Sequence, residues 1–144
     1  MQKYKQTYIP SVKTGVISNN RKSVAEYYQT HIAGKSVTNK HLNIVIKFNK
    51  EGKKELSYGR AIHSKKVALL QCLPKLLEVA TYNNFGIRKE TDPQSWLGYM
   101  NFKAFVLING KKECVRLTCI LRKDGSLYYN HEVNIIKRGN RTRP

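Results

Sequence analysis

The stretch YMNFKAFVLINGKKECVRLTCILRKDGSLYYNHEV, running from Tyr99 to Val133, decides the fold. Met100, Phe102, Ala104, Val106 and Ile108 alternate with Tyr99, Asn101, Lys103 and Phe105. That is the period of a strand with one buried face. Asn109-Gly110 is the favoured two-residue hairpin turn, because both positions tolerate positive φ. It pairs Val115 with Ala104, Leu117 with Phe102 and Cys119 with Met100, so all six share one apolar face. Lys123-Asp124-Gly125 reads as a three-residue hairpin loop with Gly125 in the left-handed position. That loop pairs Leu121 with Leu127, Cys119 with Tyr129, Leu117 with His131 and Val115 with Val133. A three-stranded antiparallel meander is the expectation.

Upstream of the meander the period changes. Asn20 is a helix cap and Gly34 a stop signal, and Val24, Tyr27, Tyr28 and Ile32 recur at helical spacing between them. Leu42, Ile44, Ile46 and Phe48 alternate as a strand ended by Glu51-Gly52. The segment from Lys53 to Ala61 reads as one or two helical turns. His63-Ser64 opens the best helix, with Val67, Leu70, Leu73, Leu76 and Leu77 on one side. Pro74 lies inside that pattern and should kink or restart it, since proline lacks the N–H and clashes with the preceding turn. Residues 84–97, with Asn84, Gly86 and Asp92-Pro93, read as a long loop. The fold class expected is α+β, with N-terminal helices packed on one face of an antiparallel β-sheet. Residues 1–19 form a basic arm, 20–136 a single α+β domain and 137–144 a basic tail.

The same registers define a polar face. Asn101 lies opposite Thr118 and Lys103 opposite Arg116, with Asn130 beside Thr118 and Glu132 beside Arg116. Tyr99 and Tyr128 flank the group. A cationic, hydroxyl-bearing surface with aromatic edges suits an RNA backbone and stacked bases. The same residues also suit an ordinary solvated face with cross-strand charge pairs. His131 has two placements. The three-residue turn sends it to the helix-covered face, whereas a two-residue Asp124-Gly125 turn sets it on the open face beside Thr118.

Charge narrows the partners. The chain has 27 Lys and Arg against nine Asp and Glu, net +18 over 144 residues, with no acid before Glu26 or after Glu132. So much like charge repels itself unless a polyanion neutralises it, and nucleic acid does so with release of counterions. Lys54, Asn101, Lys103, Lys137 and Arg138 are the candidate nucleic-acid contacts. RNA binding without chemistry, and DNA binding through the basic ends, both fit this balance.

Several classes are excluded or disfavoured. No apolar run approaches the roughly 20 residues that membrane crossing needs, and residues 1–10 lack a secretory signal. Cys72, Cys114 and Cys119 form no C-x-x-C pair, and an odd count suits reduced thiols at a cytoplasmic site of action. The nine carboxylates are scattered, so a two-metal nuclease lacks its ligands, and no cofactor or phosphate-loop motif is present.

Two runs carry a family resemblance: GKKELSYGRAIHSKKVALLQCLPKLLEVATY (52–82) and GYMNFKAFVLINGKKECVRLTCILRKDGSLYYNHEV (98–133). Together they resemble the barnase/EndoU/colicin/RelE-like nuclease domains of phage, mobile-element and polymorphic-toxin proteins. In that group a helix ending in an LPxLLExA-like segment leads into an antiparallel sheet. The resemblance implies a metal-independent endoribonuclease, often tRNA-directed, working on the open face of the sheet. Its candidate catalytic residues here are Arg116 and Thr118 in VRLT, Tyr128 and His131 in YYNHE, and His63 ahead of the LPKLLEVA helix. Lys53, Lys54 and Glu55 stand where the resemblance leads one to expect another histidine. The implied chemistry has His131 and His63 as acid and base, and Arg116 with Lys103 as phosphate clamp. Thr118 and Tyr128 would position the substrate. Attack by the 2′-hydroxyl then yields a 2′,3′-cyclic phosphate with no metal or other cofactor. A toxin of this kind also implies an acidic immunity or inhibitor protein that covers the basic face.

Overall fold

The computed structural model describes residues 9–49 and 64–136. In chain order these give β1 (Ser11–Val12), α1 (Arg21–His31), β2 (Ser36–Asn39) and β3 (Ile44–Lys47). After residue 63 come α2 (Ser64–Leu69), a 3-10 turn (Leu70–Cys72), α3 (Leu73–Val79) and β4 (Thr81–Ile87). The long strands β5 (Trp96–Ile108), β6 (Lys111–Arg122) and β7 (Leu127–Ile136) end the described part. The strand order is β1-β5-β6-β7-β3-β2, with β4 also paired to β5.

This corrects the expected architecture of helices packed on one face of an antiparallel sheet. Among the described residues strand outweighs helix about two to one, and the sheet is curled and mixed, with α1 the longest helix. Two pairings are parallel, β1 with β5 and β3 with β7. The physical reason lies in what alternation can reveal. Parallel neighbours are joined through distant segments, and two of the strands are too short or too polar to show a period. Ser36–Asn39 is four residues long, and Thr81–Ile87 contains Asn83, Asn84 and Gly86, which read as turn formers. The long loop expected at residues 84–97 is therefore strand as far as Ile87. The segment expected as an arm contributes Ser11–Val12, and Leu107 N–H donates to the Pro10 carbonyl at 2.8 Å.

The meander follows the turn chemistry closely at first. Asn109 and Gly110 have φ of 54° and 83°, and β5 pairs with β6 in the expected register: Ala104↔Val115, Phe102↔Leu117, Met100↔Cys119. Gly125 has φ of 90°, and Arg122 N–H donates to the Ser126 carbonyl at 2.9 Å, closing a three-residue loop. Leu121↔Leu127 and Cys119↔Tyr129 follow as expected. The ladder then jumps: Thr118 pairs with Glu132, Leu117 with Val133 and Arg116 with Asn134. Residues 130–131 form a bulge in β7. The expected pairs Leu117–His131 and Val115–Val133 give way to pairs two residues further along β7.

One continuous core holds these pieces together. Val24, Tyr28 and Ile32 from α1 and its C-cap meet Val67, Leu69, Leu73, Leu76 and Leu77 from the second helical region. Phe102, Val106, Val115, Leu117 and Cys119 come from the sheet. Asn20 caps α1 as expected, its side chain accepting from Ser23 N–H at 2.9 Å. Pro74 sits in the first turn of α3, where its missing N–H costs nothing, and the 3-10 turn before it supplies the restart. Asn39, fully buried, donates to the Leu77 and Ala80 carbonyls and accepts from Leu42 N–H, so it ties the end of α3 to the β2–β3 hairpin.

Candidate nucleic-acid interface

Face-alternation sets the residues of the side turned away from the core. Asn101 stands opposite Thr118 and Lys103 opposite Arg116, as the hairpin register requires. Lys103 and Arg116 are both exposed, and neither forms an ion pair with a described carboxylate. Glu132, expected beside Arg116, is displaced by the bulge to a position opposite Thr118. Asn134 takes its place, its Oδ1 accepting from Lys66 Nζ at 3.2 Å.

Beside the two cations, across β6, β5 and β4, runs a polarised chain of hydrogen bonds. The Thr118 hydroxyl donates to Asn101 Oδ1 at 2.7 Å, and Asn101 Nδ2 donates to Asn84 Oδ1 at 2.8 Å. Each link aligns the next dipole, so the chain ends on the exposed Asn84 amide with its N–H donors directed away from the row. Thr118 is only 6% exposed. Its hydroxyl is spent within the row, on Asn101. Asn84 was missed in the sequence because its strand reads as loop; the signal available was its place opposite Asn101 once β4 is paired.

The flanking tyrosines are committed to neighbours. Tyr99 donates its hydroxyl to Asp92 Oδ2, and this bond, followed by the Lys89 N–H, holds the Asp92 carboxyl below the usual carboxylate range. Trp96 meets the Tyr99 ring edge-on at 6.0 Å. Tyr128 lies under the Arg122 guanidinium, 4.1 Å from the ring centroid, with Lys47 Nζ at 5.7 Å. Arg122 and Lys47 were not among the candidates read from sequence.

Among the remaining candidates, the His131 backbone lies in the β7 bulge, and its side chain lies outside the described residues, as do His63, Lys54, Lys137 and Arg138. Arg116, Thr118, Asn101 and Lys103 are thus brought together, and Tyr128 sits further along the same face. Burial pushes the Cys72 thiol up to about 12 and the Cys119 thiol higher still, which suits packed hydrophobes rather than nucleophiles. Among the described residues no group of three His, Cys, Asp or Glu side chains could hold a metal ion, and no helix is long and apolar enough to cross a membrane.

The family model for large polyvalent protein-associated domain 3 matches residues 16–129. The chain belongs to this family. The matched span runs from before α1 to Tyr129 and takes in both the amide row and Arg116. The chain matches no curated protein and no solved structure.

Proposed function

We propose that this domain is an RNA-binding effector module of a phage or mobile-element polyvalent protein, and that RNA lies across the open face of β5, β6 and β7. The observation that carries the reading is the juxtaposition of exposed Lys103 and Arg116, neither paired with a carboxylate among the described residues, beside a hydrogen-bonded row that ends on the exposed Asn84 amide. A net charge of +18 supplies long-range attraction, while the row and the cations give a phosphate strand its register. The family's association with polyvalent proteins supports a role as one working part of a longer effector. A toxin role brings with it an acidic inhibitor that shields the same face. Titrating labelled tRNA with protein at rising salt tests the binding. Arg116→Ala with Lys103→Ala should weaken affinity and flatten the log–log salt slope by roughly 1–2. A wild-type protein that leaves tRNA free at low salt refutes the reading.

Cleavage is the second reading, and the β7 bulge favours it. Bulges cluster beside active sites because they re-aim side chains, and this one contains His131 at the level of Thr118. The chemistry needs a base for the 2′-hydroxyl proton, an acid for the leaving 5′-oxygen and a cation for the phosphoryl oxygens. Arg116 supplies the last, and His131 is the proton-transfer candidate. The motif resemblance to metal-independent ribonucleases supports the same assignment. Incubating total tRNA in EDTA distinguishes the two readings. Fragments with 2′,3′-cyclic phosphate ends, lost in His131→Ala, support cleavage, and intact tRNA in a retarded complex supports binding alone.

A further inference from the structure

A second cationic site lies at the other end of β6. An open groove of about 470 Å³ is lined by Lys35, Ser36, Lys47, Arg122 and Tyr128, among others. Its three cations come from three parts of the chain: the turn after α1, β3 and β6. They converge only because β3 joins β7 at Lys47↔Tyr128. Arg122 lies over the Tyr128 ring, and its Nε is buried with no hydrogen-bond partner among the described residues. A guanidinium N–H sequestered from water and left unmatched is a donor awaiting an acceptor. No described carboxylate forms an ion pair with Lys35, Lys47 or Arg122. The described acid whose charge Arg122 and Lys47 influence, Asp124, accepts from the Ser126 hydroxyl and N–H, and those bonds act on it more strongly than the two cations.

We propose that this groove is a phosphate-binding subsite in which Arg122 and Lys47, with Lys35 at the rim, grip a phosphate group of a nucleotide or of an RNA strand. The planar guanidinium supplies directed donors and Tyr128 fixes its orientation, so the subsite is built before the anion arrives. Six residues of β6 separate Arg116 from Arg122, about 20 Å at the rise of a strand. A few nucleotides of single-stranded RNA span that interval, so the groove anchors a strand whose middle crosses the amide row. That anchoring role rests on the RNA reading above, whereas the phosphate chemistry of the groove does not.

The test uses the full chain with three probes: inorganic pyrophosphate, uridine 5′-monophosphate and a fluorescent RNA ten-mer. In ¹H–¹⁵N spectra, pyrophosphate and the mononucleotide should move the Arg122 Nε–H resonance. Lys47→Gln should weaken ten-mer binding about tenfold and leave the thermal midpoint near that of the wild type. Arg122→Gln should do the same, and Lys47→Gln, an exposed change, keeps the test valid if the Arg122 variant melts early. An Arg122 Nε–H resonance unmoved by any probe, with ten-mer affinity unchanged in Lys47→Gln, overturns the proposal. Movement with pyrophosphate and unchanged ten-mer affinity overturns the anchoring role and supports a small-anion site. If the ten-mer weakens in Lys47→Gln and not in Arg116→Ala, the groove stands and the RNA reading of the central face falls.

Discussion

The two hairpins of the meander share β6, yet one is irregular only at its far end, at Leu97, and the other is interrupted in its middle. From Tyr99 to Ile108, β5 pairs with β6 one residue at a time, while β7 follows β6 only as far as Tyr129 before two extra residues intervene. Both begin at turns whose glycine has positive φ, so turn geometry does not distinguish them. The difference lies further along the strands. In the middle of the β5–β6 pair Met100, Phe102 and Ala104 face Cys119, Leu117 and Val115 across the ladder. In β7 an uninterrupted ladder sets His131 against the buried Leu117. The bulge substitutes Val133 there, and an apolar partner is restored at the cost of a break in the ladder. Adding two residues keeps the parity of the strand, so the core face stays apolar on both sides of the break. A continuous ladder stabilises the sheet, and an interrupted one places the interruption beside Arg116 and Thr118.

Leu117 tests whether the two hairpins are one cooperative unit, because it is fully buried between Phe102 and Val133. Leu117→Ala should cost about 2–5 kcal/mol in urea unfolding, in a single transition; two transitions would mean that the hairpins unfold separately. Gly110→Ala should cost about 1–2 kcal/mol, since a side chain at φ of 83° meets the following carbonyl. An unchanged midpoint would remove that turn from the account of the register. Thr118→Val, which removes the first donor of the amide row, should lose about 0.5–1.5 kcal/mol and lower RNA affinity modestly. No change in either quantity would show that the row is incidental.

The smallest effect concerns acid. Tyr99 holds the Asp92 carboxyl below its ordinary value, so its contribution is complete above about pH 4 and is lost as pH falls through the lower folded value. Wild-type protein should therefore lose slightly more stability than Tyr99→Phe between pH 6 and pH 3, measured as urea midpoints. Equal losses would show that the Tyr99–Asp92 bond contributes nothing to the end of β5.

How much the sequence reveals follows the same division. Turn chemistry and alternation act between near neighbours, so Asn109-Gly110 sufficed to pair Lys103 with Arg116 and Asn101 with Thr118. Pro74 marked the helix restart for an equally local reason. The β7 bulge was hidden because Asn130-His131 continue the polar alternation, and only the mismatch of His131 with Leu117 across the strand gave a hint. Strand β4 was hidden by Asn83, Asn84 and Gly86, whose turn preference is overridden by pairing with β5. The groove at Arg122 was beyond reach, because Lys35, Lys47 and Arg122 meet only through the parallel β3–β7 contact.

That contact has a mechanical consequence. The described pairing of β3 with β7 is the single pair Lys47↔Tyr128, so the β2–β3 ribbon is hinged to the rest of the sheet along its thinnest seam. Amides of β2, a four-residue strand at the end of the sheet order, should exchange with solvent sooner than those of β5 and β6, although Asn39 and the Lys40 N–H keep the ribbon tied to α3. An anion held between Lys47 on one leaf and Arg122 on the other would act as a clasp, coupling occupancy of the groove to the closure of the sheet.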